Sequence, residues 1–312
     1  MGWVAYPGID AVLNRLLAGS REILDDNLFG MYLFGSLASG DFDADTSDID
    51  FAVVTHAAVD AATQAALGQL NTRIQASGSP WAAKLEGSFL PLHAFEDFNP
   101  ACTTYPTIGM GGRYGLDHKG IEQALQRFLL REDGIALAGP EPRSFIAPVS
   151  PQALKAETLD VLHGWWQAQL DNPVRLRRRG YGAYAVLTMC RALNTLATGG
   201  VASKPAAARW ARPRVPDHWR GLIDRALVWR DGDGVDDFAP TLELIRWVIR
   251  GAAELEDLSR DCLTLPIQVG MVALSAATTD AGSPAPVPAR PSPRDPAPRP
   301  ANAAVGADAG RS

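Results

Sequence analysis

Apolar residues recur at Ile9, Val12, Leu13, Leu16 and Leu17 within residues 8–24, the spacing of one face of an amphipathic helix. The pattern then changes. Met31 to Phe34 is an unbroken apolar run ending at Gly35-Ser36, and a second run, Phe51-Ala52-Val53-Val54, follows Asp48-Ile49-Asp50. Two short buried strands joined by a polar loop account for residues 31–54. Residues 57–76 return to helical spacing through Ala61, Ala65, Leu67, Leu70 and Ile74. After the breaker Ser77-Gly78-Ser79-Pro80, residues 81–92 read as a third strand. Residues 102–114, rich in Gly and Thr, read as a loop near a site, and 121–131 as a helix with Leu125, Phe128 and Leu129 on one side.

The second half of the chain is helical throughout. Ser150-Pro151 supplies an N-cap hydroxyl followed by proline at the first helical position, opening a helix that contains Leu154, Leu159, Leu162, Trp165 and Trp166. Two tryptophans at helical spacing point to core. The clearest helix is 181–198, stopped by Gly199-Gly200, and further helices cover 217–230 and 239–259. Asp231-Gly-Asp-Gly-Val-Asp-Asp237 between them is a polar turn, because it lacks the bidentate Glu at the twelfth position of a calcium loop. From about residue 275 the chain is rich in Ala, Pro and Arg, with eight prolines between Pro284 and Pro300, and buries too little apolar surface to fold. The expected architecture is a two-domain α+β/α chain. An α/β domain with a mixed sheet spans 1–145, a helical bundle spans 146–264, and a disordered tail spans 275–312.

With 312 residues and 46% apolar content the chain can bury a sizeable core. No run approaches eighteen consecutive apolar residues, and the N-terminal segment lacks a basic region followed by an apolar one, which argues against a membrane span and a secretory signal. Cys102, Cys190 and Cys262 are isolated from one another and from histidines, so disulfides and zinc are not expected and a reducing cytoplasm fits. Nothing in the pattern fixes an oligomeric state. The net charge of −6 hides an asymmetry: residues 1–170 carry 20 acids against 10 bases, and residues 171–230 carry 12 bases against 3 acids. A triphosphate bridging the two halves explains that split. A nucleic-acid patch would also, but the basic stretch holds no recognisable nucleic-acid module.

The chemistry centres on Asp48 and Asp50. On a strand they share a face while Ile49 turns to the core, and two adjacent carboxylates repel unless a cation sits between them. That geometry suits Mg²⁺, which binds through one or two carboxylates plus the phosphates of a nucleotide. Gly35 has no Cβ to keep a phosphate away, and Ser36 offers a hydroxyl and an N–H. Glu86 lies in the middle of the third strand, where a lone carboxylate needs a partner. Beside Asp48 and Asp50 it would be the general base for an acceptor hydroxyl or a third metal ligand, and an edge-strand Glu facing water is the plain alternative. Along 181–198, Tyr184, Leu187, Arg191 and Asn194 form one stripe, so Arg191 sits beside a mostly apolar face and needs an anion. Lys204 is placed to join it. His56 reads as a loop residue, and a solvated acidic hairpin is the plain alternative for the 31–54 region.

The string Leu-Phe-Gly-Ser-Leu-Ala-Ser-Gly-Asp followed by Ser-Asp-Ile-Asp-Phe resembles the signature of the nucleotidyltransferase superfamily whose best-known member is DNA polymerase beta. Within it, Glu86, the segments Gly134–Pro140 and Ile146–Ser150, and Leu187-Thr-Met-Cys-Arg191 followed by Gly and Lys204 are similar to the streptomycin and spectinomycin adenylyltransferases. The likeness spans roughly residues 8–255. It implies Mg²⁺-dependent transfer of AMP from ATP to a hydroxyl of an aminoglycoside or aminocyclitol, an antibiotic-resistance activity. By the same likeness Glu86 is the catalytic base, and Arg191 and Lys204 lie near the ATP phosphates. Two family features differ here: no tryptophan occurs between Trp81 and Trp165, and Arg179-Gly180-Tyr181-Gly182 stands where the family has a drug-gripping acid. The alternatives are AMP transfer to another small molecule or a protein, and a nucleotide-binding regulator without turnover.

Overall fold

The computed structural model describes residues 3–95, 104–117, 124–230 and 236–261, the last eight of these by backbone only. Cys102, Cys262, most of the acidic 231–237 turn and the 275–312 tail lie outside the described residues. Helix α1 (Pro7–Leu24) leads into strand β1 (Leu28–Leu33), and the one-turn helix α2 (Gly35–Ser39) follows. Strand β2 (Ile49–Thr55), helix α3 (Ala61–Gln75) and strand β3 (Leu85–Pro91) come next, the last preceded by a single 3-10 turn at Ala82–Lys84. Asp60 caps α3 by accepting the Thr63 N–H. The residues expected to form a loop over 102–114 are instead largely strand: β4 (Tyr105–Gly109) and β5 (Arg113–Asp117) make a hairpin. Gly111 and Gly112 turn it with φ of 73° and 71°, which is what the glycine content of this stretch serves. Helix α4 (Ala124–Asp133) and strand β6 (Ile135–Ala138) complete this half.

The six strands run in the order β5-β4-β3-β2-β1-β6, with β2 and β3 parallel and the other pairs antiparallel. Period-two alternation divides the sheet between two cores. Met31, Leu33, Ile49, Phe51, Val53, Leu85 and Phe89 pack with α1 and α3, whereas Tyr32, Phe34, Ala52, Val54 and Leu90 pack with Leu130 of α4 and with Phe95 and Ile146. Asp50 and Glu86 fall on the second face by the same alternation.

Helices α5 (Pro151–Val161), α6 (Gln167–Asp171), α7 (Arg179–Thr198), α8 (Lys204–Ala211), α9 (Asp217–Leu227) and α10 (Phe238–Asp261) follow. Ser150 caps α5 by accepting the Ala153 N–H at 3.1 Å. A π-helical turn over Leu162–Trp166 contains both tryptophans. Trp166 is buried in the helical core, while Trp165 stays exposed beneath the Arg175 guanidinium. Helix α7 runs through that core, burying Val186, Met189 and Cys190 against Ala207, Ala208, Ile223 and Ile245. The buried carboxylate of Asp237 ties the arrangement together. It pairs with Arg179 at the start of α7 at 3.1 Å and with Arg225 of α9 at 2.7 Å. Among the described residues no helix is long and apolar enough to cross a membrane.

Candidate active site

The parallel pairing of β2 with β3 sets Asp50 directly opposite Glu86. Ile49 is fully buried on the α1/α3 side, so the residue after it projects from the other face. Burial, then the nearby charge of Glu86, pushes Asp50 up to about 7, against the pull of Lys204 and Arg191. Asp48 enters from the loop just before β2. Although it reaches solvent, the protein around it raises its pKa, with Lys204 and Lys84 acting in the opposite sense. Beside Glu86, the Ser88 and Thr107 hydroxyls bond at 3.0 Å in the interior and pin β4 to β3.

Gly35 closes the other side of Asp50. Its φ is +69°, and a Cβ there would land on Asp50 Oδ2. The Phe34 N–H donates to the Asp50 carbonyl at 3.1 Å, so the chain turns into α2 directly against this carboxylate. Ser36 is half-buried in the same turn. The loop between Ser36 and Asp48 is ordered by its own acids. Asp43 accepts the N–H groups of Asp45 and Thr46 at 3.0 and 3.2 Å, and Lys84 donates to the carbonyls of Asp45 and Ser47 at 2.9 and 3.2 Å. The loop bonds, with Arg230 beside them, hold the Asp43 carboxyl below the usual carboxylate range despite its partial burial. Arg230, beyond α9, reaches Asp43 at 2.8 Å.

From the helical half, Arg191 of α7 and Lys204 of α8 bring positive charge to this face. Burial lowers Arg191, while Tyr184 and Asp50 raise it. Lys204 is brought down to about 8, first by burial and then by Arg191, against the attraction of Asp50, Asp48 and Glu86. Three carboxylates and two cations drawn from opposite ends of the sequence therefore act on one another. A cluster of mutually perturbed ionisable groups of this kind is a candidate functional site. The sequence-predicted residues Gly35, Ser36, Asp48, Asp50, Glu86, Arg191 and Lys204 converge, whereas Arg179 is engaged by Asp237. His56 is exposed at the end of β2. Sequence reasoning missed Lys84, Asp43 and Arg230, whose roles arise from contacts up to 187 residues apart that no local pattern encodes.

The donor set suits a hard divalent cation. A buried carboxylate that keeps its proton to about 7 beside two further acids is one whose charge a cation would stabilise. Among the described residues no three His, Cys, Asp or Glu side chains form a preformed metal cage. A Mg²⁺ site of two carboxylates completed by water and phosphate requires none.

Residues 18–152 match the family model described as "Nucleotidyltransferase domain". Residues 166–253 match that of "Aminoglycoside adenylyltransferase, C-terminal domain". The aminoglycoside (3'')(9) adenylyltransferase of Escherichia coli is 26% identical over 259 residues, covering 78% of this chain and 94% of its own. Its counterpart from Klebsiella pneumoniae is 27% identical over 228 residues, covering 69% and 82%. The crystal structure of spectinomycin adenyltransferase AAD(9) from Enterococcus faecialis, with ATP and spectinomycin, shares the fold with a TM-score of 0.61 at 17% identity. It covers 77% of this chain and 98% of that one. The half of the chain that carries the mixed sheet is a nucleotidyltransferase domain, and the protein is an adenylyltransferase enzyme. The chain carries the two domains of an aminoglycoside adenylyltransferase, the nucleotidyltransferase domain over residues 18–152 and the C-terminal domain over residues 166–253.

Proposed function

We propose that the enzyme transfers AMP from ATP to a hydroxyl of an aminoglycoside or aminocyclitol and releases pyrophosphate. The observation that carries this reading is the register pairing of Asp50 with Glu86 on parallel strands, opposed by Arg191 and Lys204. Asp48 and Asp50 are the residues to hold Mg²⁺, which would neutralise charge on the triphosphate. Gly35 and Ser36 leave room and donors for a phosphate, and Arg191 and Lys204 face its oxygens with matching charge. Glu86 accepts the proton of the acceptor hydroxyl as that oxygen attacks the α-phosphorus. The new O–P bond forms as the bond from the α-phosphorus to the bridging oxygen breaks, and pyrophosphate leaves with that electron pair. We place the division between the two domains at 145/146 and the enzyme in the cytoplasm.

The relatives' names carry the acceptor class to this chain, and one observation widens it. The start of α7 presents Arg177, Arg178 and Arg179, and its nearby carboxylate, Asp237, is already paired with two arginines. An acceptor less cationic than streptomycin is the second reading.

The test separates binding from chemistry. Glu86→Gln should retain ATP binding while turnover falls about 10²–10⁴-fold, the contribution of a positioned base. Asp48→Ala and Asp50→Ala should lose Mg²⁺-dependent ATP binding as well, read by titration calorimetry. Full turnover by Glu86→Gln would refute the base assignment.

A further inference from the structure

Lys204 is the first residue of α8, just after Ser203, whose Oγ accepts the Ala206 N–H at 3.3 Å. Its backbone is thus fixed at the start of the helix. Asp50, Asp48 and Glu86 all attract the ammonium. A lysine that settled on them would compete with a cation for the same oxygens. The contact the structure gives it is different: Lys204 Nζ lies 4.3 Å from the centroid of the Tyr184 ring. That ring is held in turn by Tyr181 at 5.5 Å and by the buried Trp166 at 6.0 Å, measured between centroids. Tyr184 sits two turns before Arg191 on α7 and is itself partly exposed, at 39%.

We infer that Tyr184 is a positioning residue for Lys204, its ring seating the ammonium beside the carboxylates so that it meets the phosphates of the nucleotide. A ring quadrupole attracts a cation more weakly than a direct ion pair, so the seat orients the lysine without trapping it. The use of the lysine rests on the nucleotide-binding role proposed for it above. The seat itself does not.

The chain has four lysines, Lys84, Lys119, Lys155 and Lys204, so carbon-13 labelling at lysine Cε reads the seat directly, with Lys204→Arg assigning the signal. In the ligand-free full chain the attached protons should be displaced upfield by the ring current. That displacement should persist in Tyr184→Phe and vanish in Tyr184→Leu. A wild-type Lys204 signal at the free-lysine position overturns the seat, whether or not the protein binds ATP. Calorimetry with ATP and Mg²⁺ reads the use. Tyr184→Leu should weaken binding about 2–30-fold and Tyr184→Phe less than about twofold, the range of a cation–π contact. In a Lys204→Met background, Tyr184→Leu should add nothing. Equal weakening in both backgrounds, or equal loss in the Phe and Leu variants, contradicts the inference. A displaced Lys204 signal in a chain that does not bind ATP would keep the seat and refute the nucleotide role.

Discussion

Gly35 shows how one missing atom shapes the site. A side chain here would have to adopt the left-handed backbone region at φ +69° and displace the Asp50 carboxylate. Gly35→Ala should therefore lower stability by about 1–2 kcal/mol, the penalty of that conformation for an L-residue. It should also abolish Mg²⁺-dependent ATP binding, as is expected of Asp50→Ala. Urea denaturation and ATP titration of the same preparation check both, and a variant with wild-type ATP affinity would contradict the geometry. The carboxylates were legible in the sequence because their signal is local: Asp-x-Asp at the mouth of an apolar strand, and Glu86 inside another, demand partners wherever they fold. The seat of Lys204 on Tyr184 was not legible. Both residues stood out singly, but their contact depends on how α7 and α8 pack.

At the scale of elements, Glu157 of α5 links the two halves by accepting the N–H groups of Ala124 and Leu125 in α4, the latter at 3.0 Å. Burial raises its pKa, and the two backbone bonds only partly offset this. The folded chain thus keeps the Glu157 proton at a higher pH than the unfolded chain, where glutamate titrates near about 4.3. Its contribution to stability is fully present below that value and is lost as pH rises through the folded pKa. Urea midpoints of wild type and Glu157→Gln should show the wild type losing ground to the variant as pH rises above about 4.3, and a gap independent of pH would contradict the assignment. Helices α1, α3, α7 and α10 were legible because their apolar spacing is long and regular. The β4–β5 hairpin was not: Pro106 and the glycines around 109–112 read as loop, and only pairing with β3 and β5 makes those short segments strands. Strand β6 and helix α8, of four and eight residues, were too short for a period to declare itself.

Across the whole molecule the asymmetry of charge finds its place. The acidic first half supplies Asp48, Asp50 and Glu86 on the sheet, the basic second half supplies Arg191 and Lys204, and the Arg230–Asp43 pair joins them beside the site at 2.8 Å. On the proposed reading, a site divided in this way needs both halves to bind the nucleotide. The central claim is Glu86-dependent transfer of AMP to a hydroxyl. Its most direct test is pyrophosphate release from ATP and Mg²⁺ with streptomycin, spectinomycin and a panel of other hydroxylated acceptors, with Glu86→Gln as the blank and the product weighed by mass spectrometry. The account predicts release with at least one aminocyclitol or aminoglycoside, a product heavier by one adenylyl group, and none of either from Glu86→Gln. Release undiminished in Glu86→Gln, or no release with any acceptor by a chain that binds ATP, would contradict it.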